Sequence, residues 1–264
     1  MGSATREALA RAKAALSAQQ GQVDLTTGEQ LFAAGRAIGD SAQLRAALAD
    51  PAAEPAAKQA VVAKVFSGFT PAARAVLDSV AANSWSSSDD LLAGIEELGI
   101  RATAESAPAG TDLVSQIFAF GSAVTSSAEL ELAVGSKRGE PTAKAELVRR
   151  LLGGKASAQA VEILSSLVQQ PRGRRISALV RFATDVVADQ SDAIVADVTV
   201  AQPLGSAQLE RLANRLTGQY GRTIRINQIV DPAVLGGIRL QIGDDVIDGS
   251  IAAKLHDLRL QLAG

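Results

Sequence analysis

Through residues 1–192 the apolar positions recur at intervals of three and four, the spacing that gathers them on one face of an α-helix. Over residues 4–20, Ala8, Leu9, Ala12, Ala15 and Leu16 form one stripe, with Arg6, Arg11 and Lys13 outside it. "LTTGEQLFAAGRAIGD" predicts a second helix, with Thr26 or Thr27 as its cap and Gly39 as its stop. "SAQLRAALAD" is a short third helix that ends at Pro51. "EPAAKQAVVAKVFSG" and "TPAARAVLDSVAANS" each place a Pro at the first helical position, where no N–H is needed. The first of these has an expected buried face of Val61, Val62, Val65 and Phe66, and the second is capped by Thr70. "SSSDDLLAGIEELGIRATAES" has Ser and Asp where the positive end of a helix favours them. Helices joined by such short turns predict a bundle.

The pattern then repeats. At an offset of 86, "LFAAGRAIG" (31–39) falls on "IFAFGSAVT" (117–125), and Leu44 and Leu48 fall on Leu130 and Val134. "EPAAK" from Glu54 falls on "EPTAK" from Glu140, and Val61, Val62, Val65 and Phe66 fall on Leu147, Val148, Leu151 and Leu152. One added residue shifts the offset to 87, and "AVLDSVAAN" falls on "EILSSLVQQ". Starts, loops and apolar faces coincide together, which predicts a duplicated bundle of five or six helices. The helix at 88–107 is placed to close the first copy and open the second.

After "VVADQSDAIVADVTV" the period changes from 3.6 to 2. "IVADVTVAQPL" is a β-branched, alternating strand that ends at Pro203. "GSAQLERLANRLTGQYG" is an amphipathic helix with Leu209, Leu212, Ala213 and Leu216 on one face. "RTIRINQIVDP" is a strand with Ile224 and Ile226 in, Arg225 and Asn227 out. "GGIRLQIGDDVIDG" predicts a hairpin turning at Gly243-Asp244, and "DGSIAAKLHDLRLQL" a last helix with Ile251, Leu255, Leu258 and Leu262 in its stripe. The fold class is therefore α+β and predominantly α. Two tandem homologous helical bundles, residues 1–107 and 108–192, precede a small α/β module of strands and two helices at 193–264.

Composition narrows the chemistry. The 264 residues are 47% hydrophobic but only 3% aromatic, so the cores are built from Ala, Val, Leu and Ile, which suits closely packed helices. A formal net charge of −2 favours neither nucleic acid nor anionic lipid. With no Cys and His256 as the one His, thiolate chemistry and a zinc site are disfavoured, and a hydrolase centred on His256 has no nucleophile elbow beside it. "LLGGKAS" (151–157) lacks the glycine and the hydroxyl of a phosphate loop, with Arg149 and Ala156 in their places. "GDD" at 243–245 is read as a turn rather than an acid/base pair. "QQPRGRRISALVR" (169–181), with Arg149, Arg150 and Lys155, is the one basic cluster, and it supports an alternative reading as a helical adaptor for RNA or phosphate. No constellation supports catalysis, and no cofactor or metal is expected. Amphipathic helices with small-residue seams, which recognise other helices, remain.

The run "DPAVLGGIRLQIGDDVIDGSIAAKLHDLRLQL" (231–262) resembles the signature of the δ subunit of F-type ATP synthases, the family of the oligomycin-sensitivity-conferring protein. The matching residues are Asp231, Leu235, Gly236, Gly237, Ile242, Gly243, the "VIDGS" of 246–250, Leu255 and Leu258. "ADVTVAQPL" (196–204) and "LRAALADPAAEPAAKQAVVAKVF" are similar to the family's strand and bundle segments. The usual member has one bundle, so this chain resembles the enlarged form with a duplicated one. The resemblance implies a non-catalytic stator of the peripheral stalk, one copy per complex, peripheral on the cytoplasmic face of the bacterial membrane. It implies the α subunit N-termini of the catalytic head as partners, with β left open, and the b subunit of the stalk. No nucleic acid partner or direct membrane insertion is implied. The expected head-binding residues line the first and fifth helices of a copy: Leu9, Ala12, Leu16, Val76, Leu77 and Val80, or Val161, Leu164 and Leu167. The expected stalk-binding residues are Leu235, Gly236, Gly237, Ile251, Leu255 and Leu258.

Overall fold

Eight of the twelve described helices begin with a side chain that takes up a free backbone N–H. In the computed structural model, which describes residues 2–136, 139–234, 236–243 and 245–249, two compact units are distinguished, Met1–Val187 and Ala188–Gly264. The last predicted helix, with Ile251, Leu255, Leu258, Leu262 and His256, lies outside the described residues, as do Leu235 and Asp244.

The first unit holds α1 (Ser3–Ser17), α2 (Leu25–Asp40), α3 (Ala42–Ala49), α4 (Pro55–Val65), α5 (Pro71–Ala82), α6 (Ser88–Glu105), α7 (Leu113–Thr125), α8 (Ala128–Gly135), α9 (Pro141–Leu152) and α10 (Ala158–Gln169). Most of α11 (Ile176–Gln190) also belongs to it. The cap of α2 is Asp24, not Thr26 or Thr27. Asp24 Oδ1 accepts from the Thr27 N–H at 2.8 Å, and Thr27 Oγ1 accepts from the Asp24 N–H at 3.4 Å, a reciprocal box. Gly39 does not stop α2, which runs to Asp40; Ser41 then caps α3. Val65 is also not in the core: it is 44% exposed, while Val62 and Phe66 are buried.

Particular hydrogen bonds recur between the two copies. Ser41 Oγ accepts from the Leu44 N–H, and 86 residues on Ser127 Oγ accepts from the Leu130 N–H. Gln30 Oε1 accepts from the Thr70 N–H (2.8 Å) and hydroxyl (3.0 Å), as Gln116 Oε1 accepts from the Ser157 N–H (2.8 Å) and hydroxyl (2.8 Å). Pro55 and Pro141 open α4 and α9, and Lys58 and Lys144 are both buried.

Each copy has its own core, and α6 serves both. Its Leu91, Ile95, Leu98 and Ala102 pack with Leu9, Leu16, Leu31, Val76 and Leu77. Its Ile100 packs instead with Ile117, Phe120, Val148, Ile163 and Leu164. Every residue from Gly94 to Thr103 is buried, so α6 has no solvent face over that stretch. The alternation of an ordinary surface helix is lost there because two bundles claim opposite sides.

The second unit is a sheet in the order β2-β1-β3-β4, formed by β1 (Ala193–Val200), β2 (Thr223–Val230), β3 (Ile238–Ile242) and β4 (Asp245–Asp248). β1 and β2 are parallel, joined through α12 (Ser206–Tyr220), while β3 and β4 add antiparallel. Ala196, Val198 and Val200, with Ile224, Leu240, Ile242 and Leu216 of α12, make the core. Ile224 and Ile226 face it as expected. Asn227 is not an outward solvated residue: it is buried and donates through Nδ2 to Asp197 Oδ1 at 2.6 Å, its register partner on β1.

Candidate interaction surfaces

The residues expected to line helix-binding grooves lie deeper than a groove. Leu9, Ala12, Leu16, Val76, Leu77 and Val80 are all buried in the first core, and Leu164 and Leu167 in the second; Val161 is half-buried. They join α1 to α5, and α10 to the second core. A helix laid over these seams meets their neighbours: Ala4, Ala15, Ala75 and Ser79 in the first copy, all half-buried.

The corresponding seam of the second copy, between α6 and α10, is covered by α2. Phe32 of α2 packs in the second copy's core beside Ile100. A Cβ on Gly99 would stand 3.0 Å from the Phe32 ring, so glycine lets the ring come this close without being displaced. Arg36 Nη1 donates to Ser166 Oγ at 3.2 Å, and the space left between α2, α6 and α10 is a void of about 10 Å³. Burial lowers the Arg36 guanidinium and raises the Glu162 carboxyl, the latter opposed by the Ser166 hydroxyl donating to it at 2.6 Å. The seam is dry.

A second fastening joins the copies. Glu96 of α6 accepts a bidentate pair from Arg174 Nη2 (2.6 and 2.8 Å) and pairs with Arg172 Nη2 at 2.9 Å. Arg174 also lies over the Phe182 ring, 5.3 Å from its centroid. Arg172 has φ 48°, a left-handed backbone that costs a non-glycine residue about 1 kcal/mol and is held here by Glu96. At the next position of α6, Glu97 binds Lys13 (2.7 Å) and Arg101 (2.8 Å). Of the basic residues that supported an RNA or phosphate adaptor, Arg172 and Arg174 are clamped on Glu96, while Arg149, Arg150, Lys155 and Arg175 are exposed. The sequence carried one signal of this: adjacent Glu96 and Glu97 between the apolar residues Ile95 and Leu98. The pairing with Arg172 and Arg174 is tertiary and had no local trace.

The copies also differ around α7, α8 and α9. A largely apolar groove of about 480 Å³ opens between α7, α8 and α9, lined by Gln116, Ala119, Phe120, Leu130, Leu152 and Ala156 among others. In the first copy Phe66 and Phe69 pack together there, with ring centroids 5.0 Å apart; Leu152 and Ala156 stand in their places. Restoring both rings, Leu152→Phe with Ala156→Phe, is expected to stabilise the chain by about 1–2 kcal/mol through the added burial, read as a raised thermal midpoint.

In the α/β unit the signature residues have backbone tasks. The Asp231 N–H donates to the Val200 carbonyl, and Asp231 Oδ1 accepts from the Ala233 N–H, which turns the chain out of β2. Gly236 (φ 101°) and Gly237 (φ 86°) reverse it into β3 with a left-handed backbone that side chains resist. Gly236 is half-buried and Gly237 exposed; of the other expected stalk residues, Leu235, Ile251, Leu255 and Leu258 lie outside the described residues. Gly243 (φ 57°) makes the hairpin turn, and the Gly249 N–H donates to the Ile238 carbonyl at 2.9 Å. Ile229, Val230, Val246 and Ile247 are exposed along β2 and β4. Trp85, between α5 and α6, is buried, with Nε1 donating to the Val80 carbonyl at 2.9 Å. Among the described residues no single helix is long and apolar enough to cross a membrane.

Helical bundles fused through a shared helix, followed by a small α/β unit with a mixed four-stranded sheet, define a helix-rich α+β protein. The family model described as ATP synthase delta (OSCP) subunit matches residues 101–262. "ATP synthase subunit delta" of Leifsonia xyli subsp. xyli is 52% identical over 264 residues, covering all of both chains. The proteins of the same name from Kineococcus radiotolerans (38% identical, 96% of this chain and 97% of that one) and Streptomyces griseus subsp. griseus (37%, all of both) are similar over the same extent. The chain belongs to the ATP synthase delta (OSCP) subunit family and is a non-catalytic stator subunit of F-type ATP synthase.

Proposed function

We propose that this chain, one copy per complex, ties the N-terminal helices of the α subunits of the catalytic head to the b subunit of the peripheral stalk, on the cytoplasmic face of the bacterial membrane. Held there, it resists rotation of the head against the central rotor, so that proton-driven torque goes into ATP synthesis. The observation that carries this reading is the fusion of the two bundles through α6, Glu96 and α2, which makes the first unit a stiff body rather than beads on a linker. A stator needs large, slowly dissociating helical contacts, not a reactive centre. The exposed apolar residues Ile229, Val230, Val246 and Ile247 in the α/β unit support the b subunit contact there.

The full chain, titrated against purified catalytic head and separately against the soluble part of the b subunit, is expected to bind each with a micromolar or tighter Kd. Adding it back to membranes stripped of it is expected to restore proton pumping driven by ATP hydrolysis. Hydrolysis that stays uncoupled after addition, with no binding to either partner, overturns the proposal.

A further inference from the structure

Between α7, α8 and α9 the second copy keeps the helices of the first and lacks their filling. In the first copy the space is closed by two rings: Phe66 is buried in the core and Phe69 packs against it. Offsets of 86 and 87 put Leu152 and Ala156 at those positions, while Phe120 of α7, in the place of Ala34, returns one ring. One ring for two leaves an open, largely apolar groove of about 480 Å³. That size falls in the range of roughly 300–1,000 Å³ typical of small-molecule sites, which combine apolar walls with a few polar groups. The polar groups at this rim divide into engaged and free. Asp112 accepts from the Ser115 N–H (3.2 Å) and hydroxyl (2.8 Å) at the start of α7. Gln116 Oε1 is taken by the N–H and hydroxyl of Ser157. Lys155 lines the groove and is exposed, and among the described residues no carboxylate pairs with it. At the 87-residue offset the first copy has Gly68 there, so the opening and the cation occur in the same copy.

We propose that this groove is a binding site for a small aromatic anion, with its rings against Phe120, Leu130 and Leu152 and its anionic group toward Lys155. The first copy shows what chemistry fits. The same space is closed there by a tilted pair of phenyl rings with centroids 5.0 Å apart. A ligand that brings rings supplies the apolar burial that Leu152 and Ala156 do not, and Phe120 gives it an aromatic partner. Lys155 then sets the sign of the charge: it attracts an anion and repels a cation. The site lies wholly within the first unit and does not depend on the contacts proposed for the stator. Its occupation joins α7, α8 and α9 and so stabilises the chain by mass action.

Anilinonaphthalene sulfonate, which carries a fused and a single ring and one negative charge, is the probe. Titrated into the full chain, it is expected to saturate one site with a Kd on the order of tens to hundreds of micromolar. Leu152→Phe with Ala156→Phe puts the first copy's rings back and is expected to abolish that site. Because this variant is also expected to be the more stable one, loss of binding there is not loss of fold. Lys155→Met keeps the apolar stem, and is expected to weaken binding by about twofold to fivefold, less so as salt is added. The sequence has no Cys, so Ala123→Cys gives a single thiol on the groove, and Ala37→Cys, 86 residues earlier, the matching thiol on the first copy; both positions are exposed. The probe is expected to slow alkylation of Ala123→Cys several-fold and to leave that of Ala37→Cys unchanged. This comparison stands even where the added rings disturb folding, which circular dichroism reveals. Saturable binding that survives the two phenylalanines, equal protection of both thiols, or no saturation of the wild-type chain up to millimolar probe overturns the site. Binding unchanged by Lys155→Met overturns its preference for an anion.

Discussion

Replacing Ile163 by Ala, deep in the second copy, is expected to lower the temperature at which Trp85 in the first copy loses its buried environment. Ile163 is fully buried in one core and Trp85, the only Trp of the chain, in the other. A truncation of this kind costs about 2–5 kcal/mol. In a cooperative unit of this size that lowers the midpoint by roughly 5–15 °C. The effect reaches Trp85 because α6 is built into both cores. If α6 unfolds, Leu91, Ile95 and Leu98 leave the first core as Ile100 leaves the second. Neither bundle can then open without the other. Trp85 emission followed through thermal unfolding, beside calorimetry of the same sample, checks this. A Trp85 midpoint unmoved by Ile163→Ala, with a second calorimetric transition that does move, shows two bundles melting apart and removes the claim of one rigid body.

Glu96→Ala carries the second largest expected effect. Glu96 is buried, and its removal strands Arg172 and Arg174, of which it is the carboxylate partner. Breaking a buried pair costs about 3–5 kcal/mol. The guanidinium groups keep partial solvent access here, so about 2–3 kcal/mol is expected. Arg172 also loses what holds its left-handed backbone. In a double-mutant cycle with Arg174→Ala, the combined loss is expected to fall short of the sum of the two by about 1–2 kcal/mol. Denaturant midpoints of the four proteins measure it. Additive losses show that Glu96 and Arg174 act independently and that the clamp contributes nothing.

The sequence made the helices legible because local rules govern them. Pro at the first position of α4, α5 and α9, Ser or Thr at the caps, and apolar stripes all mark their own places. The copying was legible too, since a duplicated bundle keeps its caps; Gln30 with Thr70 and Gln116 with Ser157 repeat the same bonds. The misreadings share a cause. Asp24 lies just before the stretch read as a helix, so the cap was placed on Thr26 or Thr27, although the box of Asp24 with Thr27 is complete. Val65 follows the apolar period yet faces outward, because α4 needs only Val62 and Phe66 for its core. Asn227 alternates outward but meets Asp197 across the sheet, a contact that only register creates. The candidate seams were half legible. Their inner residues could be listed from periodicity, but which seam α2 would cover depends on the crossing of α2, α6 and α10. No local spacing encodes that crossing.

Helix sharing has a consequence for linkage. Appending a bundle through a common helix adds five helices rather than six. It also makes the neighbour's second helix a cover for the seam the common helix would otherwise offer. The doubled chain thus gains a second core without gaining a linker between the two, because one helix is built into both.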